Sequence, residues 1–183
     1  MPNRPKQKTE PGLAAQVAAC LHVPASELKG PPGEVRSPKF HGPGSLSVGS
    51  SVNVTSSPSA ARQSIAVLGK AGAKPCLAAA IGKLGRGLAA RSPGLTLGKA
   101  TVRRLPVPKL GDESLALRIA VPVSAAGRTL LLVIDGFEMR VGRGEASLTV
   151  NSAGAAARPA LETHLASLLA TRLASELGRP VGA

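Results

Sequence analysis

Along Glu113 to Val123, ESLALRIAVPV, the odd positions Leu115, Leu117, Ile119, Val121 and Val123 are all apolar. The even positions Ser114, Ala116, Arg118 and Ala120 are small or polar. Successive side chains of a strand point to opposite sides, so this alternation predicts a strand with its odd side buried. Ser124-Ala-Ala-Gly127 is a turn signal leading into RTLLLVIDGFEMRV. A short RGE turn then leads into EASLTV, where Ala146, Leu148 and Val150 alternate with polar residues. KATVRRLPVP precedes them, and its prolines at 106 and 108 confine that end to a sheet edge or an exit. Connections this short favour hairpins over crossovers, so residues 99–150 read as an antiparallel meander.

Upstream the spacing changes. In PGLAAQVAACLHV, Leu13, Val17, Cys20 and Leu21 share a helical face until Pro24 stops it, and a short helical turn is expected at Ala25 to Leu28. Residues 30–45, dense in Pro and Gly, read as a surface loop. SLSVGSSVNVTS predicts a strand with Leu46, Val48, Val52 and Val54 on one side. Pro58, preceded by serines, opens a helix that buries Ala61, Ile65 and Leu68 and breaks around Gly69 to Gly72. A third helix restarts at Pro75, with Leu77, Ile81, Leu84 and Leu88 as its face. Gly82, Gly85 and Gly87 each cost about 0.8–1 kcal/mol against Ala there. They either end the helix early or permit close approach to the sheet. A last helix runs from Pro159 to Leu177 on a leucine stripe, Leu161, Leu165, Leu168, Leu169, Leu173 and Leu177, and Gly178 and Pro180 close it.

This order predicts an α+β fold: an antiparallel meander sheet of about five strands packed against helices on one face. Residues 11–178 read as a single domain, residues 1–10 as a disordered N-terminal segment and residues 179–183 as a C-terminal tail.

Composition sharpens this picture in two ways. The chain has no Trp or Tyr, and Phe40 and Phe137 are its only aromatics, so the core must be built from aliphatic residues. The 23 Lys and Arg against 10 Asp and Glu give a formal charge of +13. From Val35 to Gly111 there is no acid at all, while Arg62, Lys83, Arg86, Arg91, Arg103, Arg104 and Lys109 are among the bases. Such a surface attracts anionic polymers or lipid head groups, or is simply a solvated face. No apolar run approaches the roughly 18 residues of a membrane-spanning helix. MPNRPKQKTEPG lacks the apolar stretch of a signal peptide.

Candidate chemistry is sparse. Cys20 and Cys76 read as small buried hydrophobes in a reducing compartment, or as one bridge in an oxidising one. Such a bridge would contribute about 4 kcal/mol by the loop-entropy relation. A reactive thiol at Cys76, beside Lys74 and a helix N-terminus, ranks third. His22, His41 and His164 are scattered, and neither a zinc-ligand spacing nor a metalloprotease motif is present. GKLGRG follows no strand, so it is not a dinucleotide fingerprint, and no cofactor is indicated. Asp112, Glu113, Asp135 and Glu138 are the carboxylates to weigh. Asp135 shares parity with Val133, Phe137 and Met139, so it points to the apolar side. A carboxylate there needs a partner, with Arg103, Arg104, Arg118 or Arg140 as candidates, or a bulge at Gly136. Paired acids for hydrolysis are a weak signal, and the chain does not read as an enzyme. Single-strand nucleic-acid binding lacks its aromatic platforms.

Several pieces in this order resemble the actinobacterial extracytoplasmic sensor-domain family, as in the extracellular domain of PknH-type kinases and related lipoproteins. They are the helix ending in AACLHV, the SPKF loop, SLSVGSSVNV, AGAKPCLAAAI, Gly111-Asp112-Glu113-Ser114, the Asp135 strand followed by Arg140-Val141-Gly142-Arg143-Gly144, and the leucine-rich last helix. The resemblance covers roughly Pro11 to Gly178. It implies a non-enzymatic α+β domain with a ligand groove, a cell-envelope setting and an oxidised Cys20–Cys76 pair. With the basic surplus, the expected ligand is an anionic envelope glycan or lipid. The residues put forward to contact it are Lys83, Arg86, Arg91, Arg103, Arg104, Asp112, Asp135 and Arg140. The alternative is a cytoplasmic protein that binds nucleic acid or another polyanion.

Overall fold

The computed structural model describes residues 12–28 and 33–179. The segments 1–11, 29–32 and 180–183 lie outside it, and with them the expected N-terminal disorder and most of the expected tail. The described elements are α1 (Leu13–Leu21), a 3-10 turn at Ala25–Glu27, β1 (Val35–Arg36), β2 (Phe40–His41), β3 (Ser47–Val54), α2 (Pro58–Gly69), α3 (Ala73–Ala89), β4 (Leu95–Leu97), β5 (Thr101–Leu105), β6 (Glu113–Ala125), β7 (Arg128–Val141), β8 (Gly144–Ala153) and α4 (Pro159–Glu176).

The meander forms as expected. β5, β6, β7 and β8 pair antiparallel in sequence, with two-residue turns at Ala126-Gly127 and Gly142-Arg143. The sheet is larger than five strands. It has eight, in a curled sheet ordered β1-β3-β8-β7-β6-β4, with β2 also on β3 and β5 also on β6. The strands missed by periodicity are two or three residues long, too short to show a period. β1 and β2 share the outer edge of β3, while β4 and β5 share the outer edge of β6.

Helices flank both faces rather than one, because β6 is apolar on both sides. Leu115 and Leu117 pack with Val17, Ile65, Cys76, Leu77 and Ala80 under α1, α2 and α3. Ala116, 0% exposed, joins Phe137, Met139, Leu148 and Val150 under α4. Ala116 is too small to announce itself as a core residue, so its parity reads as the polar side. α4 buries its leucine stripe in part: Leu173 is buried, and Leu165, Leu169 and Leu177 pack partly buried against the core. The line at fourfold spacing that it buries is Glu162, Ala166, Ala170 and Ala174, while Leu161 and Leu168 are exposed. Alanines let the helix axis lie close to the sheet.

Local signals position the other helices. Ser57 caps α2 by accepting from the Ala60 amide at 3.2 Å, with Pro58 in the first turn. α3 runs through all three of its glycines. At Gly85 a Cβ would lie 3.1 Å from the Leu97 side chain, so that glycine brings α3 down onto β4. Cys20 and Cys76 form a disulfide with Cα atoms 5.6 Å apart, joining the end of α1 to the start of α3. Among the described residues no single helix is long and apolar enough to cross a membrane.

Candidate functional site

β7 and β8 alternate strictly. Phe137, Met139, Ala146 and Leu148 face α4, and Glu138, Arg140, Glu145 and Ser147 face the other way. On that second side the strand register sets polar side chains in two rows. Glu138, Ser147, Ser51 and Arg36 are successive partners across β7, β8, β3 and β1. Arg140, Glu145 and Asn53 make the neighbouring row. α1 and α3 cover β6 and stop short of these rows, so an open groove of about 580 Å³ remains. Its floor is Ser51, Asn53, Glu138, Glu145 and Ser147. Leu28 of the 3-10 turn and Ala60, Gln63 and Leu68 of α2 form a wall, and Glu34 and Arg36 form the rim.

The electrostatics of the groove are acidic. Arg36 holds Glu34 through Nε at 3.0 Å and Nη2 at 2.7 Å, and with the Ser51 hydroxyl it keeps the Glu34 carboxyl below its usual range. Asn53 Nδ2 donates to Glu145 Oε2 at 3.4 Å. The Ser51 and Ser147 hydroxyls bond each other at 2.7 Å. Glu138 makes no hydrogen bond to another described residue. Burial, followed by the charges of Glu145 and Glu34, pushes its carboxyl up to about 8, so at neutral pH it carries a proton.

No protein-family model matches this chain, and no similar protein was found among curated proteins or solved structures. The site therefore rests on its own geometry.

The residues singled out in the sequence fall into three groups, and only one of them approaches the groove. Lys83 and Arg86 are exposed on α3, Arg91 is exposed just beyond it, and Arg103 and Arg104 are exposed on β5. Arg104 is level with Leu117 on the α3 side, whereas Arg103 is level with Arg118 on the α4 side. None of these bases lines the groove.

Asp135 is 1% exposed and lies under α4, out of reach of a ligand. Arg118 grips both of its oxygens at 2.6 Å, so the pairing is structural and needs no bulge at Gly136. Arg118 Nη2 also lies 3.7 Å from Glu162 Oε2. Glu162 Oε1 is buried without a donor, and its carboxyl abuts Asp135. Burial, then the hydrogen bond and charge of Asp135, drive Glu162 well above the carboxylate range despite Arg118. A proton on Glu162, donated to Asp135, satisfies both acids.

Asp112 and Arg140 belong to a strut. Arg140 Nη1 reaches Asp112 at 3.0 Å, and its Nη2 reaches Glu113 at 3.3 Å. Asp112 also accepts from the Gly142 amide at 2.7 Å and from Arg179 at 2.8 Å, while Arg62 of α2 holds Glu113 at 2.7 Å. The Gly142 amide in particular keeps the Asp112 carboxyl below its usual range. Gly111 makes the turn possible: its φ is 72°, and a Cβ there would lie 2.5 Å from the Arg140 carbonyl oxygen. The strut ties the start of β6 to the end of β7, to α2 and to the segment after α4.

The groove residues Glu34, Arg36, Ser51, Asn53, Glu145 and Ser147 went unrecognised in the sequence. Their signal was the polar half of an alternation, which ordinarily marks solvent.

Proposed function

We propose that this protein is a non-enzymatic ligand-binding domain of sensor type, working in an oxidising compartment such as the bacterial cell envelope. The observation that carries the reading is the groove itself, a concave polar floor on a sheet face whose β6 part is packed under helices. Hydroxyl, amide and carboxyl groups presented side by side suit a hydroxyl-rich ligand. Among the described lining residues, the carboxylates Glu27, Glu34 and Glu145 against one guanidinium, Arg36, favour an uncharged or cationic glycan over the anionic one expected from net charge. The paired Ser51 and Ser147 hydroxyls bond each other rather than a base, which supports binding over nucleophilic catalysis. The Cys20–Cys76 bridge supports the extracytoplasmic setting against the cytoplasmic polyanion alternative. The resemblance to actinobacterial sensor domains points the same way.

Titration calorimetry of the full chain with neutral, amino-substituted and phosphorylated oligosaccharides tests this. Binding of a neutral or amino sugar, weakened about tenfold by Ser147→Ala through the loss of one hydrogen bond, is the expected result. Phosphorylated sugar as the sole ligand, or binding indifferent to Ser147→Ala and Glu145→Gln, would remove the groove from consideration.

A further inference from the structure

The β6–β7 hairpin ends in a tip that the helices leave bare. Every residue from Ala125 to Leu131 is exposed, including Leu130 at 57% and Leu131 at 40%. These two leucines are neighbours in one strand, so they project from opposite faces of the hairpin. Leu130 continues an apolar row, since Leu97, Val123 and Leu130 are register partners across β4, β6 and β7. Gly85 rests on Leu97, and one turn further along α3 lies Leu88, 55% exposed. Leu88 thus follows the Leu97 end of this row by one helical turn, and Leu130 is its other end.

Charge at this end is of one sign. Arg128 stands beside the tip, Arg86 is in the last turn of α3 and Arg91 follows it, all exposed. The described carboxylates lie elsewhere. Asp135 and Glu162 are buried, and the others surround the groove or the opposite end of the sheet, where α4 ends beside Gly144. Exposed leucines and arginines on the same hairpin and helix end, with no acid among them, match a surface that is apolar beneath and anionic on top. A soluble polyanion would engage the arginines and leave the leucines unexplained.

We propose that the β6–β7 hairpin tip and the C-terminal turn of α3 form a docking surface for an anionic lipid bilayer. The leucines enter the acyl boundary, and Arg86, Arg91 and Arg128 pair with lipid phosphates. This surface is separate from the groove, so it stands or falls independently of the ligand bound there.

The test is co-sedimentation of the full-length, oxidised chain with vesicles of phosphatidylcholine alone and of phosphatidylcholine with phosphatidylglycerol. Retention on heparin and sedimentation equilibrium are run in parallel. Partitioning onto the anionic vesicles is expected, weakening with salt. The double variant Leu130→Ser, Leu131→Ser should reduce it about tenfold, with unchanged heparin retention, circular dichroism and thiol content. A triple Arg86→Gln, Arg91→Gln, Arg128→Gln variant should lose both vesicle and heparin binding. Vesicle binding that follows the arginines but ignores the leucines would reassign the surface to a polyanion. Self-association abolished by the leucine variant, without vesicle binding, would reassign it to a second copy of the chain.

Discussion

The two faces of the one sheet are built on different terms. Under α4 the strands present Phe137, Met139, Leu148 and Val150 to alanines spaced four apart, and the single charged cluster is sealed inside. Under α1, α2 and α3 the apolar ground is confined to β6 and its neighbours, and the same strands β7 and β8 turn their polar side to a groove. One face is a core interrupted by an ion pair. The other is a helical roof, stapled by a disulfide, that covers only part of its floor. Where the second core stops at β6, the polar side of β7 and β8 is free to carry binding groups.

That contrast can be broken most directly at adjacent residues. Phe137→Ala should cost about 3–5 kcal/mol, since it empties the α4 core. Glu138→Gln, one residue along on the opposite face, should not destabilise at pH 7 and should gain stability, because the amide replaces the protonated carboxyl without the cost of taking up a proton. Urea unfolding of the two variants measures this, and similar losses from both would mean that the faces are not distinct.

Reduction of the Cys20–Cys76 bridge should come next, at about 2–5 kcal/mol. Its signature should be lopsided: amide exchange should quicken in α1 and α3 while α4 keeps its protection. Uniform loss of protection would make the disulfide a constraint on the whole fold rather than on one roof.

The smallest effect is with pH, and it ranks the two raised carboxyls. Glu162 and Glu138 both hold protons more tightly folded than unfolded. The native state therefore binds more protons between the ordinary glutamate range and their raised values. Their contribution is complete below the ordinary glutamate range and is lost progressively from there as pH climbs through about 8. Melting temperatures should decline from pH 5 to 9, and Glu162→Gln should flatten that decline more than Glu138→Gln, because Glu138 opens onto water in the groove. An unchanged slope in Glu162→Gln would separate that residue from the Asp135 network.

Much of the architecture was legible because β6, β7 and β8 are long enough for alternation to show. The carboxylate at position 135 declared its need for a partner by its parity with Phe137, and Arg118 was among the named candidates. Other features had no local signal. β4 is three residues, and Ala116 looks like a spacer. Whether α3 would survive Gly85 depended on how Leu97, twelve residues on, would be placed. The groove was hidden for a different reason. Glu34, Ser51 and Glu145 come together only when β1, β3 and β8 align, and a polar half-strand looks the same whether it faces bulk water or a roofed cleft. The charge total also says nothing of where charges gather: Lys83, Arg86, Arg91, Arg103 and Arg104 stand on outer surfaces, while Glu34, Glu138 and Glu145 line the concavity.

The divided outer edges of the sheet bear on how this protein behaves when crowded. A long strand left open at the rim offers a row of unpaired amides and carbonyls to any neighbour. Here the rim beyond β3 is occupied by two strands of two residues each, and the rim beyond β6 by strands of three and five. Pro106 and Pro108 follow directly on the longer of these. Among the described residues the rim strands are at most five residues long, which leaves a second molecule little ladder to extend into fibres.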